Sequence, residues 1–410
     1  MTPDAGPVNR PTPDHRIVAA IWPAMLAGTV SLLPFTVFST FLVPISATAG
    51  ADAAAVGTLR GLGGVAALLT GMAVAPWLGR WPRHHAVSGA LALLAASSLV
   101  ATTGSYAALV AFCLGTGVAT AVLTPALLAL ATARFTEPGD GGRAATLVST
   151  ATTLAAVLAG PVVGGLAAWR GWQGALWVTA VVAVAVGLAF LRHDRSANGP
   201  MAAPGYIEAL KLLRSRPDLL AVVAVAGLRT TSFMGYLSFL AVTYHDRFDM
   251  DAGTFTLVWT LSGSSFVAGT YLAGRWARSD GPARPRRPRL LLSLGLGGGL
   301  AAVLTVFLVT SLPVALAATT VMGFSHAVVA ATATSLIAQR AGRLTPTTFG
   351  LQAAGMSLGT FVGAALGGAG LAAAGLTGLA LALAAPTVVA ATLLRTATRA
   401  SGTLTTMAHR

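Results

Sequence analysis

Three ionisable side chains stand inside long apolar runs: Arg60, Arg229 and His326. An arginine at the centre of a membrane helix costs at least about 2.5–3.5 kcal/mol, so it is kept where it faces a cavity, a partner or a substrate. Arg229 lies about halfway along the run 219–244, with Ser232 and Tyr236 at i+3 and i+7 on one helical face and Thr243 at i+14 extending it. That stripe reads as a wet wall with a fixed cation at mid-depth, suited to binding a substrate or coupling its movement. The alternative is a structural network with backbone carbonyls. His326 is similarly deep in the run 313–339 and shares a face with Thr319 and Gly323. Histidine changes charge near neutral pH, so it is the best proton carrier inside the runs; the plainer reading is a neutral, satisfied residue. Arg60, near the start of the run 54–79, either lines a cavity or snorkels outward.

The elements that must position these groups are membrane spans. Of 410 residues 55% are hydrophobic and 9% charged, with mean hydropathy +0.75, whereas a soluble domain carries about 25% charge. Spans of about 20 apolar residues are expected at 17–46, 54–79, 86–104, 106–132, 144–168, 174–192, 219–244, 253–274, 290–310, 313–339, 347–371 and 375–394. Turn chemistry separates them, for example Arg170-Gly171, Asp251-Ala252-Gly253 and Gly375-Leu376-Thr377-Gly378. The expected organisation is a disordered tail at 1–16, a six-helix bundle at 17–192, a linker at 193–218, a second six-helix bundle at 219–396 and a tail at 397–410. Within the linker, Ile207, Leu210 and Leu213 alternate with Glu208, Lys211 and Arg214 in the pattern of a short amphipathic helix on the membrane surface.

Charge placement orients the chain and narrows its chemistry. Apart from Arg60 and Arg229 in spans and Arg170 and Arg247 on the opposite loops, the other 22 of the 26 basic residues fall on the side of the two termini. That is a positive-inside pattern with both ends cytoplasmic. The net charge of +14 is spread over short loop clusters rather than one polar face, so nucleic acid is not the partner; anionic lipid is. All 12 acidic residues lie in loops or at span ends. With the single cysteine Cys113 there is no disulfide and no thiol pair. No phosphate-binding loop, His/Cys pair or carboxylate dyad occurs in the spans, so no metal, cofactor or enzymatic activity is expected. Arginine makes up 25 of the 26 basic residues, a skew that suggests a high-GC bacterial genome and hence a bacterial inner membrane.

The chain also repeats itself. Gly160-Pro161-Val162-Val163-Gly164-Gly165 recurs as Gly363-Ala364-Ala365-Leu366-Gly367-Gly368, 203 residues on. Gly79-Arg80-Trp81-Pro82-Arg83 recurs as Gly274-Arg275-Trp276-Ala277-Arg278, 195 residues on. Ala156, Gly160 and Gly164 form a smooth stripe on one helix face, and Gly355, Gly359, Gly363 and Gly367 form a longer one. Such stripes let helices approach closely in lipid. They serve plain packing, or a seam between halves that rocks in transport; Pro161 bends its helix locally.

These motifs give the chain its resemblance. It resembles the major facilitator superfamily, and within it the drug-efflux antiporter group, over residues 17–394. The antiporter signature is Gly160 to Gly165, followed by Trp172-Gln173 and Trp177 at the opening of the sixth span. Gly79-Arg80 is similar to the family's basic loop motif, but Ala75 and Pro76 stand where its Asp belongs, so a charge-paired latch by Arg80 and Arg83 lacks the family's acidic partner there. In the fourth span Gly115 matches the family glycine, while Ala111 replaces its arginine. The resemblance implies twelve helices in two pseudo-symmetric bundles, alternating access as a monomer, and a central cavity lined by the first, fourth, seventh and tenth spans. There Thr29, Thr36 and Thr40, and Gly117, Thr120 and Thr124, supply small polar faces. The expected function is export of a small organic molecule by proton antiport. The alternatives are transport of an anionic solute and, less favoured, a membrane sensor without transport. A net-cationic cavity repels protonated amines under either transport reading.

Overall fold

In hydrocarbon a backbone N–H has no acceptor except a carbonyl of its own protein, so each apolar run closes into a helix. The computed structural model describes residues 13–78, 82–135, 138–193, 211, 213–278 and 287–398. Its helices are α1 (Asp14–Thr40), α2 (Leu42–Ala49), α3 (Ala53–Leu78), α4 (Arg83–Ala101), α5 (Tyr106–Ala133), α6 (Pro138–His193), α7 (Pro217–Phe248), α8 (Ala252–Arg278), α9 (Arg287–Leu308), α10 (Leu312–Arg340), α11 (Thr345–Thr392) and the short α12 (Leu394–Ala397). Among the described residues nine helices are long and apolar enough to cross a membrane. Two of them, α6 and α11, cross twice. The twelfth crossing is α8, made more polar by Thr254, Thr256, Thr260, Ser262, Ser264 and Ser265.

Both double crossings turn at the same backbone device. Arg170 (φ −145°, ψ 33°) precedes Gly171 (φ 62°, ψ −154°), and Ala374 (φ −147°, ψ 28°) precedes Gly375 (φ 58°, ψ −148°). A positive φ with extended ψ is open to glycine and closed to residues with a Cβ. The chain folds back on itself there: a Cβ on Gly370 would lie 2.9 Å from that of Ala382, residues about 18 Å apart along a straight helix.

Helix ends differ from expectation in two places. The first span breaks at Phe41 (φ −102°, ψ 27°) and resumes as α2. Pro44 has no N–H to donate to the Thr40 carbonyl and its ring crowds that oxygen, so one helix cannot run through. At the other end α1 begins at Asp14, inside the stretch expected to be a disordered tail. The amphipathic linker lies mostly outside the described residues; of its pattern Lys211 and Arg214 are exposed and Leu213 is buried. On the loop between α7 and α8, Asp251 caps α8 by accepting from Thr254 Oγ1 at 2.6 Å and from the Gly253 and Thr254 amides. The Thr254 hydroxyl first, then the amides, hold its carboxyl below the usual carboxylate range.

The apolar core is not one body. A single cluster joins the two halves at the end opposite the termini, from Val37, Phe38 and Phe41 through Phe112 to Phe239, Tyr244 and Phe307. At the terminus-bearing end there are two separate clusters, Ile17, Leu91, Leu127 and Phe190 in one half and Leu219, Leu292, Ile337 and Ala390 in the other. The second is tied down by polar contacts. Arg216 donates twice to Asp218 at 3.0 Å and to the Arg340 carbonyl at 3.2 Å, and Arg340 donates to the Ala397 carbonyl at 3.0 Å. Because Asp218 is only 8% exposed, Asp218→Ala leaves this end short of a buried acceptor, at a cost of about 1–3 kcal/mol. Thermal unfolding in detergent should show a lowered midpoint; an unchanged midpoint would mean the pair is a solvated surface contact.

Candidate functional site

The halves meet along two helix pairs. On one, α6 lies against α8: a Cβ on Gly160 would strike the Thr256 carbonyl, one on Gly164 would come within 2.9 Å of Thr256 Oγ1, and Gly263 in turn faces the Ala156 backbone. On the other, α3 lies against α11, with Gly61 facing Phe361 and Ala364, Gly64 facing Ser357 and Thr360, and Gly368 against Thr58. The Ala156–Gly160–Gly164 stripe is therefore a contact between halves. The second stripe is not. Gly359 faces Gly227, Gly363 the Thr231 carbonyl and Gly367 the Phe239 ring, all on α7 within the same half.

A register shift accounts for the difference. The glycine motifs repeat at 203 residues, but the backbone breaks at Gly171 and Gly375 are 204 apart. One residue on an α-helix is about 100°, so the structural counterpart of Gly160 is Ala364 and that of Gly164 is Gly368, and both of these do face the other half. Within the first motif Pro161 and Gly165 are exposed, and Gly165 has no neighbour within 4 Å of an added Cβ. Neither packs in the seam.

Arg60 is the cation that reaches across. It does not snorkel: it is 8% exposed, donates to Ser39 Oγ of α1 and to Met234 Sδ of α7 at 3.9 Å, and lies 5.8 Å from the Phe35 ring centroid. A guanidinium has five donors, and a hydroxyl and a thioether are a poor match for them. It sits within the shared apolar core, among Leu59, Leu62, Phe35 and Met234, at the contact between the halves.

Arg229 and His326 turn the other way. Arg229 is buried on α7, and its NH1 donates to His326 Nε2 and, at 3.0 Å, to the His326 carbonyl of α10. NH2 donates to Thr230 Oγ1 at 3.3 Å. The His326 ring stacks on Phe233, centroids 3.5 Å apart. Around them lies a cavity of about 20 Å³ lined by Ser232, Gly295, Gly299, Met322, Ser325 and Thr387 among others. Every lining residue belongs to α7, α9, α10 or α11, so the expectation that Arg229 faces the central cavity is replaced by a place inside the second bundle. Helical spacing reveals which residues share a face, not which neighbour that face meets.

The remaining expected site residues are mostly satisfied locally. Ser232 donates to the Leu383 carbonyl at 2.6 Å and accepts from Thr387 at 3.0 Å. Tyr236 donates to Thr319 Oγ1 at 3.2 Å, and Tyr244 meets the same hydroxyl at 2.9 Å. Thr29, Thr36, Thr120, Thr124 and Thr243 each bond the carbonyl four residues back, at 2.9–3.1 Å. Gly117 packs its backbone on Gly63 of α3. In the loop motifs Gly79 and Arg80 lie outside the described residues, as does the Arg278 side chain. Arg83 donates to the Ala129 carbonyl at 3.4 Å; Gly274 has open space at its Cα, and Arg275 caps the Tyr271 ring and donates to its hydroxyl at 3.4 Å. Sequence reasoning missed Ser39, Met234 and Phe233, which carry no signal of their own beyond being neighbours of a buried cation or ring.

A family model described as Major Facilitator Superfamily matches residues 24–345. The chain is 29% identical over 262 residues to a chloramphenicol resistance protein of Streptomyces lividans, covering 62% of this chain and 64% of that protein. It is 28% identical over 192 residues to a chloramphenicol efflux pump of Mycobacterium tuberculosis, covering 44% and 46%. These matches span less than two thirds of the relatives' own length. Among solved structures, a bacterial homologue of the human lysosomal transporter Spinster, inward-facing and occupied, superposes with TM-score 0.77 at 18% identity over 95% of this chain and 98% of that one. The human organic anion transporter TETRAN gives 0.62 at 20% identity over 93% and 100%. At these identities the likeness is one of fold.

Proposed function

Because the chain belongs to the Major Facilitator Superfamily, we propose that it exports a small organic molecule from a bacterial cytoplasm by alternating access, with both termini cytoplasmic. The observation that carries this reading is the divided core. One apolar cluster seals the halves together at the end away from the termini, and two independent clusters leave them free to part at the other. Rocking about the glycine seams exchanges which end is sealed. The arginine-rich loops put the parted end in the cytoplasm, so this state takes cargo from inside.

The cargo class follows from charge and from the relatives. The acidic residues of the described helices lie at their ends and none at mid-span to attract a protonated amine, while Arg60 is a buried cation at the contact between the halves. An uncharged, polar aromatic compound of the chloramphenicol kind fits both this and the names of the curated relatives. Proton antiport, as in the group the motifs resemble, is the proposed energy source. Proteoliposomes loaded with chloramphenicol should show counterflow of the labelled compound, and a pH gradient should drive net movement. A matched cationic drug should not move. Counterflow of the cation instead would overturn the cargo assignment, and movement of nothing would favour a sensor. The second reading, an anionic solute, rests on Arg60 alone and predicts counterflow of a matched carboxylate in preference to chloramphenicol.

A further inference from the structure

The cavity between α7, α9, α10 and α11 has chemistry of its own, separate from the cleft between the halves. Arginine stays charged in proteins. Since its NH1 donates to His326 Nε2, that nitrogen is an acceptor, and the proton of a neutral imidazole then sits on Nδ1. Two buried atoms of the pair have no partner, Arg229 Nε and His326 Nδ1. Both are donors. Arg229 is 5% and His326 7% exposed, and both line the cavity. The hydroxyl of Ser232 is committed to Leu383 and Thr387. No lining residue is acidic, and the acidic residues Asp218, Asp246, Asp249 and Asp251 lie at the ends of α7 and the loop after it. A full positive charge with unpaired donors and no carboxylate is strongly disfavoured in such surroundings. A water would satisfy the donors without neutralising the charge.

We propose that this cavity is a halide site, with chloride held by Arg229 and His326 as the counter-ion that lets the second bundle close around a buried cation. A volume of about 20 Å³ exceeds the 10–15 Å³ that a single water requires, so a monatomic anion fits it. The site binds an ion that stays with the bundle, whichever way the halves face.

The test uses the purified full chain in detergent, in sodium gluconate, chloride or bromide at matched ionic strength. A ligand that binds only the folded state raises its stability with the logarithm of concentration above Kd. The thermal midpoint should therefore climb steadily with chloride and with bromide but stay flat in gluconate. Arg229→Gln should remove the halide dependence. Because loss of a buried cation can itself unfold the bundle, Gly299→Ala is the second arm. An added Cβ there meets only Ser325 Cβ, at 3.9 Å, so the fold is kept while the cavity loses a methyl's worth of room. Its midpoint should rise at least tenfold less steeply with halide. Crystals grown in bromide should show an anomalous peak in the cavity beside Arg229 and His326. A midpoint indifferent to halide, or one that responds equally in Arg229→Gln or Gly299→Ala, overturns the proposal. Chloramphenicol counterflow is read separately, so failure here leaves the transport reading standing.

Discussion

Gly363→Leu should yield no monodisperse protein, whereas Gly160→Leu should yield folded protein that does not transport. The two glycines open the same sequence motif, yet they meet different neighbours. A Cβ on Gly363 would strike the Thr231 carbonyl and crowd the Gly235 amide at 3.0 Å, both on α7 of the same half. Neither is a flexible side chain that can step aside. Overpacking a core costs about 1–3 kcal/mol even where neighbours can move, and here the α7–α11 contact itself would be pried open along its length. Gly160 meets Thr256 and Thr260 of α8, across the seam. Bulk there leaves both six-helix bundles intact and prevents their closure at the end away from the termini. Size-exclusion profiles and counterflow on the same preparations separate the two outcomes. Gly165→Leu, exposed and without a neighbour, should match the parent in both assays and so acts as a control within the motif. Normal transport by Gly160→Leu would show that α6 and α8 do not close during the cycle.

The spans and their turns were legible because hydrocarbon leaves a helix as the only option and because glycine and charge mark where each one stops. The two tight reversals could be placed from Arg170-Gly171 and from the Gly375 turn for the same reason. The register between halves could not. In stretches written in Gly, Ala, Leu and Val, identical letters align most readily at 203 residues, and nothing in the letters penalises the 100° error that the backbone at 204 corrects. Helix rotation was hidden in a similar way. Arg229, Ser232 and Tyr236 share one face whether it looks into the cleft or into the bundle. The choice depends on close backbone approaches, Gly227 to Gly355 and Gly235 to Gly363, that turn the opposite face of α7 toward the first limb of α11, before its reversal at Gly375, while Ser232 meets the second limb at Leu383 and Thr387. Thr29, Thr36, Thr120 and Thr124 offer polar faces in the sequence, yet each hydroxyl bonds its own helix's carbonyl, which the spacing of the letters does not show. The break at Phe41 was legible in principle from Pro44, but a continuous apolar run concealed it.

Arg60→Ala should reduce counterflow of chloramphenicol at least tenfold while leaving the protein folded. Arg60 links α1 to α7 through Ser39 and Met234 and faces Phe35, so it stands within the shared core at the contact between the halves. Its two polar partners leave most of its donors without a good acceptor, and a carbonyl or nitro oxygen of the cargo is a better match for a planar fork than a thioether is. A hydrogen bond to a charged group contributes about 1.5–3 kcal/mol, which corresponds to roughly ten- to a hundredfold in binding. Arg60→Lys should recover part of the loss, because an ammonium restores the charge without the fork. Met234→Leu separates the cargo from the closure: it removes the sulfur contact across the seam, keeps the bulk, and should leave cargo affinity near the parental value. If instead Arg60→Ala transports at the parental rate, the cation does no more than fill the closed end of the cleft. The anionic-solute reading then loses the side chain on which it stands, while the neutral-cargo reading rests on the divided core and the relatives alone.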